Sequence, residues 1–267
     1  MNSPPLANAD STARRNVLIV GASGEIGAAI ALDYAKHGAR LRLWGRDPVR
    51  LLKTSEACIA AGADAVSSRL LDIEDVAAAC KAIVADDAAT PFDCAVFAAG
   101  SGDVKGPGLL VEAADQVARL GIVNFVAPAA MASALGEKMA MRQAGRIVLI
   151  GSAAAFHALP FAAGYAGSKA GLARFADALR IGLKPHGVSV TLVSPGFVDT
   201  AAARRVPGPK PGILSPEVAA NSIVAAAEEG VVHLVVPRTF VILRLLDRML
   251  PRAMRDRLLR ALAPQER

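Results

Sequence analysis

Two residues near the middle of the chain have the types and spacing needed to move a proton. Tyr165 and Lys169 are four positions apart in the segment YAGSK, so on a helix their side chains project from the same face. A free phenol titrates near pH ~10, and a neighbouring ammonium favours the phenolate, so we expect Lys169 to lower the pKa of Tyr165. Tyr165 would then act as a general acid for a carbonyl that is being reduced, or as a base for the reverse oxidation.

Two more polar residues precede this pair. Ser152 stands 13 positions before Tyr165, at the end of the apolar run RIVLIGS, and Asn124 stands 28 positions before Ser152 in GIVNFVAP. Taken singly, each of these residues has an ordinary structural interpretation, such as a turn, a helix kink or a solvated position. The combination of four residue types at these spacings is what indicates a catalytic site.

The first apolar run of the chain ends in a glycine-rich turn. In NVLIVGASGEIGAAIA, the residues Gly21, Gly24 and Gly27 let the backbone turn sharply, approach a pyrophosphate closely and pack the next helix on the sheet. The N-terminus of that helix offers free N–H groups and a partial positive charge. Because the turn joins a strand to a helix within a βαβ pattern, it predicts a dinucleotide site rather than a simple tight turn.

With these motifs in this order, the chain resembles the short-chain dehydrogenase/reductase family over residues 17–236. The offsets among the four polar residues are those of the family's catalytic tetrad. SPGFVDT, residues 194–200, is similar to the family's PGxVxT turn beneath the nicotinamide, and Asp72 resembles its adenine-contacting aspartate.

The resemblance implies a role for each member of the tetrad. Ser152 would donate a hydrogen bond to the substrate carbonyl and stabilise its developing negative charge, and Tyr165 would deliver the proton. Lys169 would hold the nicotinamide ribose hydroxyls and, with the oxidised nicotinamide, lower the tyrosine pKa. Asn124 would hold a water that connects Lys169 to solvent, while the hydride belongs to the cofactor.

The resemblance also implies which residues hold the cofactor and the substrate. The cofactor residues are Gly21, Ser23, Gly24, Glu25, Ile26 and Gly27 in the glycine-rich turn, Arg46, Asp72 and Ile73 after the second and third strands, Ala99 and Gly100 after the fourth, Tyr165 and Lys169, and Pro195, Gly196, Val198 and Thr200 in SPGFVDT. The predicted substrate contacts are Phe156, His157 and Phe197. No metal ligand is predicted.

Two segments depart from the family pattern. In the usual TGxxxGxG motif the middle glycine falls at Glu25, which predicts unusual geometry in the cofactor loop. The resulting GxxGxxG spacing resembles sugar epimerases and dehydratases, whose separate substrate domain does not fit in the 72 residues after Pro195. The family's NNAG segment is FAAG here, with Phe97 and Ala98 in place of the asparagines, so the chain lacks side chains that tether the central strand in the family.

The end of the second strand, LRLWGRDP, bears on cofactor choice. An acidic residue there would accept hydrogen bonds from the adenosine ribose and repel a 2′-phosphate, but the position is Gly45, followed by Arg46. The sequence therefore predicts NADP(H) in preference to NAD(H). Asp47 is a competing ribose ligand, although its place before Pro48 favours a helix cap.

Two later stretches should face the substrate, AAAFHALPFAAG (153–164) and AAARRVPGPKPGIL (201–214). The second carries Arg204, Arg205 and Lys210, which are either a clamp for an anionic group or, as we favour, part of a solvated lid.

The chain ends in a basic amphipathic segment, residues 238–267, broken by Pro251. Its eight arginines against three acidic residues hold +5 of the net charge of +6, so the charge of the whole chain does not indicate nucleic-acid binding. The apolar runs are too short to cross a bilayer. The segment could lie on an anionic membrane, cover the substrate pocket or pack on a second subunit. Packing is favoured, and we expect a homodimer or homotetramer.

Seven short apolar runs alternate with helical patterns along the chain. They predict an α/β, doubly wound Rossmann fold with a mostly parallel seven-stranded sheet, in a single domain at residues 16–237. Residues 1–15 predict a disordered lead-in without a signal peptide. Three cysteines without metal or disulfide spacing indicate a reducing compartment, so we expect a cytoplasmic protein.

The sequence therefore predicts an NADP(H)-dependent oxidoreductase that transfers hydride between nicotinamide and a ketone or secondary alcohol. The substrate could be a 3-oxoacyl group or another lipidic or anionic carbonyl. One alternative is a non-catalytic dinucleotide-sensing regulator, which would not need an intact tetrad. The other is a nucleotide-sugar-modifying enzyme, which the chain length opposes.

Overall fold

The computed structural model describes residues 15–261 apart from residues 103, 107 and 207. Within this part of the chain the strands are β1 (Asn16–Val20), β2 (Arg40–Gly45), β3 (Ala65–Leu70), β4 (Cys94–Phe97), β5 (Gly145–Ile150), β6 (Val188–Pro195) and β7 (His233–Val236). The helices are α1 (Glu25–Lys36), α2 (Pro48–Ala60), α3 (Val76–Ala89), α4 (Ala114–Gly121), α5 (Ala127–Met141), α6 (Ala163–Leu183), α7 (Ala201–Arg205), α8 (Pro216–Glu228), α9 (Thr239–Met249) and α10 (Arg252–Ala261). The predicted lead-in, except for Arg15, and the last six residues of the tail lie outside the described residues.

The strands form one sheet in the order β3-β2-β1-β4-β5-β6-β7, and every neighbouring pair is parallel. Helices cross over between the strands and cover both faces. The predicted doubly wound fold in a single domain is thus confirmed. The strand order reverses between β1 and β4, and in such sheets ligands bind beside the carboxyl ends of the strands at this point.

Each central strand is buried on both faces, because its side chains alternate between two layers of the core. Along β1, Leu18 and Val20 pack in the layer that includes residues of α3 and α5. Val17 and Ile19 pack in the opposite layer, with residues of α1 and α8. The central strands are therefore packed on both faces, and the loops at their carboxyl ends extend from this core.

The helices begin and end at the capping and turn residues of the sequence. The carboxylate of Asp47 accepts a hydrogen bond from the Arg50 N–H at 3.0 Å and caps α2. The hydroxyl of Ser215 accepts one from the Val218 N–H at 3.3 Å and caps α8. Gly38 stops the chain after α1 with a φ of 72°. The capping interpretation of Asp47 is therefore confirmed.

One continuous helical stretch, Ala114–Met141, is long and apolar enough to cross a membrane by length and composition. It comprises α4, a π-helical turn at Ile122–Val126, and α5. In this fold it is a core helix, because Leu120, Met131 and Leu135 are fully buried. The wide π turn contains Asn124, and such turns are frequent at functional sites.

Candidate active site

Helix α6 carries Tyr165 and Lys169 one turn apart near its start, as the spacing predicts. Lys169 is only 4% exposed, and its Nζ donates a hydrogen bond to the carbonyl oxygen of Ile150 at 2.8 Å. Ile150 is the last residue of β5. The lysine is thereby fixed at the carboxyl end of the strand that leads to Ser152.

Ser152 lies two residues beyond β5 and is buried. Its Oγ accepts a hydrogen bond from the Ala154 N–H at 3.1 Å. Its side chain is also near enough to the phenol of Tyr165 to lower the pKa of that group. Strand β5 and helix α6 thus bring together two hydroxyl groups that can address one substrate oxygen.

The two titratable residues have shifted pKa values with the same physical cause. Burial raises the pKa of Tyr165, and the hydrogen bond with Ser152 lowers it in part. The expectation that Lys169 brings this pKa below its ordinary value is therefore wrong for the protein's own groups. Burial lowers the pKa of Lys169 to about 8, because its ammonium is taken out of water. At neutral pH the phenol keeps its proton.

Asn124 is fully buried and joins the segment after β4 to helix α6. Its Oδ1 accepts from the Ser101 N–H at 2.9 Å, and its Nδ2 donates to the Ser101 carbonyl at 2.9 Å and to the Ser168 hydroxyl at 3.2 Å. The Ser168 hydroxyl in turn donates to the carbonyl oxygen of Tyr165 at 2.8 Å. Both amide hydrogens of Asn124 are thus engaged, so the side chain can offer a water only an acceptor. These bonds also tether the segment after β4, where the family's asparagines are replaced.

Gly100 lies beside the side chains of both Asn124 and Lys169. A Cβ on Gly100 would lie 3.2 Å from Asn124 Oδ1 and 3.3 Å from Lys169 Nζ. A larger residue would therefore press on both side chains. The structure thus assembles the whole predicted tetrad at the carboxyl ends of β4 and β5.

The glycine-rich turn after β1 forms a cradle of main-chain atoms. Gly21 has a φ of 94°, and a Cβ there would lie 2.6 Å from Ala99 Cα. A Cβ on Gly27 would overlap the Gly21 carbonyl group, 2.8 Å from its carbon. Gly24 precedes α1 without a side-chain cap, so the first N–H groups of this helix are available to an anion. These residues fit the pyrophosphate of a dinucleotide.

Glu25, the residue at which the glycine motif departs from the family pattern, makes a long-range hydrogen bond. Its Oε2 accepts a hydrogen bond from the N–H of Ala201, the first residue of α7, at 2.7 Å. The carboxylate therefore links the glycine-rich turn to the segment after β6, across the cleft. Spacing alone gave no indication of this partner.

The end of β2 leaves no room for a side chain at Gly45. A Cβ at this position would lie 2.7 Å from Ser23 Oγ. The next residue, Arg46, is exposed, and its Nη1 is 3.6 Å from a carboxylate oxygen of Glu74. This surface ion pair contributes little and leaves the guanidinium able to bind another anion.

The residues predicted to contact adenine follow β3. The Asp72 side chain is exposed, and its Oδ1 accepts a hydrogen bond from the Glu74 N–H at 3.0 Å. The Ile73 side chain is buried in the core, so contact with a cofactor there falls to its main chain.

The nicotinamide turn, SPGFVDT, begins with the last residues of β6. Its Thr200 Oγ1 accepts a hydrogen bond from the Ala203 N–H at 3.1 Å and caps α7. Val198 pairs with Leu214 in an isolated bridge. Gly196 lies under the ring of Phe240, since a Cβ on Gly196 would be 2.8 Å from Cδ2 of that ring.

Helix α9 of the tail packs over the predicted substrate residues. The rings of Phe240 and Phe197 are 6.3 Å apart and meet edge to face. The guanidinium carbon of Arg244 lies 4.8 Å from the centre of the Phe156 ring, in cation–π contact. His157 and His233 meet the Phe156 ring edge to face, with centroids 6.3 and 6.1 Å away. Phe240 and Arg244 were missed by the sequence analysis, because only the folded chain shows what the tail covers.

Two of the three basic residues in the loop after β6, Arg204 and Lys210, bond to groups of the same loop. Arg204 Nε donates to Asp199 Oδ1 at 2.7 Å. Lys210 Nζ donates to the carbonyl oxygens of Val206 and Gly208 at 2.8 and 3.3 Å. These bonds favour the lid interpretation over an anion clamp.

Comparison with known proteins agrees with this geometry. A family model described as short chain dehydrogenase matches residues 15–209. The chain belongs to the short-chain dehydrogenase/reductase family. An uncharacterized oxidoreductase of Myxococcus xanthus is 35% identical over 185 residues, which are 69% of this chain and 72% of that protein. The ketoacyl reductase HetN of Nostoc sp. is 30% identical over 227 residues, 83% of this chain and 78% of that protein.

A solved short-chain dehydrogenase from Sphingobium yanoikuyae, in complex with NADPH, has the same fold. It superimposes with a TM-score of 0.76 at 24% identity, over 90% of this chain and 97% of that one. With the family match and the curated relatives, the protein is an enzyme of the short-chain dehydrogenase/reductase type, an oxidoreductase with a nicotinamide cofactor.

In a carbonyl reduction, the tetrad of this family member can bind the carbonyl oxygen and protonate it. A nicotinamide cofactor, when bound, supplies or accepts the hydride. The Ser152 hydroxyl can donate a hydrogen bond to the carbonyl oxygen, and the protonated Tyr165 phenol can transfer its proton as negative charge develops there. Lys169 keeps a positive charge one helical turn from the phenol, which favours the phenolate that remains.

We expect the buried Lys169 of this short-chain dehydrogenase to leave a signature in the pH dependence of stability. Its pKa is about 8 in the folded chain against an ordinary value of 10.5. Between these values the unfolded chain binds more protons, so the free energy of unfolding rises with pH across the window. Relative to Lys169→Met, the wild type should gain roughly 2–3 kcal/mol from the bottom of the window to its top.

Urea denaturation of both chains across this window measures the difference. Cys58 and Cys94, whose pKa values burial raises to about 11, titrate in both chains and cancel. Parallel stability curves for the two chains would show that Lys169 has an ordinary pKa.

Proposed function

We propose that the protein is an NADPH-dependent carbonyl reductase that reduces an apolar, lipidic ketone to a secondary alcohol. A 3-oxoacyl group is one such substrate. The observation that carries this proposal is the pair of neighbouring hydroxyl groups of Ser152 and Tyr165 at the end of β5, together with an aromatic wall. The wall consists of Phe156, Phe197 and Phe240.

The protonated Tyr165 phenol can supply the proton that a carbonyl reduction needs. Because burial raises the pKa of Tyr165, the phenol is an acid and not a base at neutral pH. A carbonyl reduction consumes one proton at the oxygen, whereas an alcohol oxidation must give one up. The resting site therefore matches the proton demand of a reductase.

The adenosine end of the site supports NADPH over NADH. A carboxylate that would repel a 2′-phosphate is missing at Gly45, and Asp47 is committed to the cap of α2. Arg46 stands exposed between them and offers the planar guanidinium that phosphate recognition uses.

The proposal is tested by following nicotinamide absorbance with a panel of ketones of increasing chain length, with NADPH and with NADH. We expect NADPH to give the higher kcat/KM. Arg46→Ala should lower kcat/KM with NADPH by about 10- to 100-fold, the worth of a charge-assisted hydrogen bond, and leave NADH unchanged. Arg40→Ala is the matched control, because Arg40 is the first residue of β2, whereas Arg46 follows the last residue of that strand. A preference for NADH in the wild type would overturn the cofactor assignment.

We further propose that the protein works in the cytoplasm as a homodimer or homotetramer. The support for this assembly is the family resemblance, and light scattering of the purified chain measures it.

A further inference from the structure

The tail helices present an apolar face to solvent. Among the residues that the structure describes, α9 and α10 expose six large apolar side chains, namely Val241, Ile242, Leu245, Met249, Met254 and Leu258. On α9 they recur at helical spacing and so form one stripe. Contiguous exposed apolar surface of this kind marks an interaction site.

The inward face of α9 fixes the orientation of this stripe. Phe240 packs on Gly196, and Arg244 packs on Phe156, so the helix is anchored on the substrate side of the active site. Phe240 and Arg244 are themselves one turn apart. The apolar stripe at Ile242 and Leu245 is therefore the outer surface of an element whose inner surface covers the site.

A second exposed apolar segment lies on the other flank of the site. Leu109, Leu110 and Val111 stand between β4 and α4, and Leu110 is 95% exposed. Two hydrogen bonds attach this loop to the segment before Tyr165, from the Lys105 N–H to the Phe161 carbonyl at 2.9 Å and from the Gly164 N–H to Glu112 Oε2 at 2.7 Å. The loop follows β4 and the tail follows β7, so both emerge at the carboxyl edge of the parallel sheet.

The charge of the tail complements an anionic surface. Residues 238–261 contain seven arginines against two aspartates, a charge of +5 in a chain of +6. Arg252, Arg257 and Arg260 are exposed beside Met254 and Leu258. Apolar stripes flanked by arginine are typical of helices that lie in the interface of an anionic membrane. A second copy of the chain would instead place like charges against each other.

We propose that α9, α10 and the loop at residues 109–111 dock the carboxyl edge of the sheet on an anionic lipid surface, so that the covering helix of the substrate site lies against the lipid. The apolar side chains enter the acyl boundary, and the arginines bind lipid phosphates. Resting on the proposed function, this orientation identifies the substrate class as long-chain ketones taken from the lipid phase.

Vesicle flotation of the full chain tests the docking without turnover. The probes are vesicles of phosphatidylcholine alone and of equimolar phosphatidylcholine and phosphatidylglycerol. We expect binding to the anionic vesicles that weakens with salt, and at least tenfold weaker binding by Ile242→Glu/Leu245→Glu. Arg252→Glu/Arg257→Glu should remove the preference for anionic lipid. Ile59→Glu on α2 is the matched control, because Ile59 and Ile242 are both 61% exposed. NADPH affinity and thermal stability verify that each variant is folded.

Three results would overturn the proposal. The first is that the wild type does not float with anionic vesicles, and the second is that Ile242→Glu/Leu245→Glu floats as well as the wild type. The third is self-association that the same double variant abolishes, without vesicle binding. Val241 and Ile242 border a cleft of about 590 Å³ beside β7, an edge strand that a second copy could use. That outcome would assign the face to a subunit interface.

An activity measurement separates this inference from the proposed function. The Ile242→Glu/Leu245→Glu variant should reduce a short water-soluble ketone at the wild-type rate and a long-chain ketone in anionic vesicles at least tenfold more slowly. If the wild type reduces neither ketone but floats, the proposed function fails and the docking stands. Equal rates for variant and wild type on the vesicle-bound ketone would instead sink the lipid-facing orientation.

Discussion

Tyr165→Phe should lower kcat/KM for ketone reduction about a thousandfold, within the range of 10²–10⁴ for the loss of a general acid–base group. The substitution removes the phenol oxygen beside Ser152 and keeps the ring in its half-buried place. Ser152 can still donate to the carbonyl oxygen, so residual activity comes from that hydrogen bond. NADPH affinity should stay within a few-fold, because Lys169 and the glycine-rich turn are untouched.

The chain supplies its own matched control for this experiment. Tyr34, the other tyrosine of the chain, is fully buried in α1. Its hydroxyl lies 3.5 Å from Cys94 Sγ. Tyr34→Phe removes an equivalent oxygen outside the site and should leave kcat/KM nearly unchanged. Steady-state rates with NADPH, together with a separate titration of NADPH binding, measure both variants. Retention of more than a tenth of the activity by Tyr165→Phe would exclude this phenol as the proton donor.

The sequence was sufficient to predict the fold and the four polar residues that the structure brings together. Strands such as NVLIV and RIVLIG read as buried parallel strands because both of their faces are apolar. Ser152 follows one such strand and Tyr165 begins the next helix, so the topology alone brings them to the same edge of the sheet. Helical periodicity then orients Lys169 beside Tyr165.

The partners of Asn124 and Glu25 could not be predicted in the same way. Asn124 bonds both main-chain groups of Ser101, and main-chain pairing leaves no trace in residue type. Glu25 bonds the N–H of Ala201, 176 positions along the chain. Among these partners, only Ser168 is close in sequence to Tyr165 and Lys169, because it lies inside the YAGSK motif.

The pKa of Tyr165 shows a different limit. A lysine at helical spacing predicts a lowered pKa when charge alone is considered. The opposite sign is found because burial outweighs the other effects, and the burial of a side chain depends on tertiary packing that helical spacing does not show. The amphipathic pattern of the tail likewise predicted two faces, but only the fold shows that the inner one lies on Gly196 and Phe156.

Gly27→Ala should weaken NADPH binding at least tenfold and destabilise the fold. A Cβ at this position overlaps the carbonyl group of Gly21, and both partners are main-chain atoms that cannot rotate away. Helix α1 must therefore shift from β1 and take the first N–H groups of the helix out of the cradle. Overpacking of this kind costs roughly 1–3 kcal/mol, and when it falls on binding it corresponds to about 10- to 100-fold in Kd.

Gly182→Ala is the matched control, because Gly182 lies within α6 and a Cβ there meets nothing within 4 Å. It should raise the free energy of unfolding by up to about 1 kcal/mol through helix propensity and leave the Kd of NADPH unchanged. Fluorescence titration of NADPH and urea denaturation measure the two variants side by side. Should Gly27→Ala bind NADPH with wild-type affinity, the pyrophosphate would have to lie elsewhere than on the turn after β1, and the assignment of the cofactor cleft would fall with it.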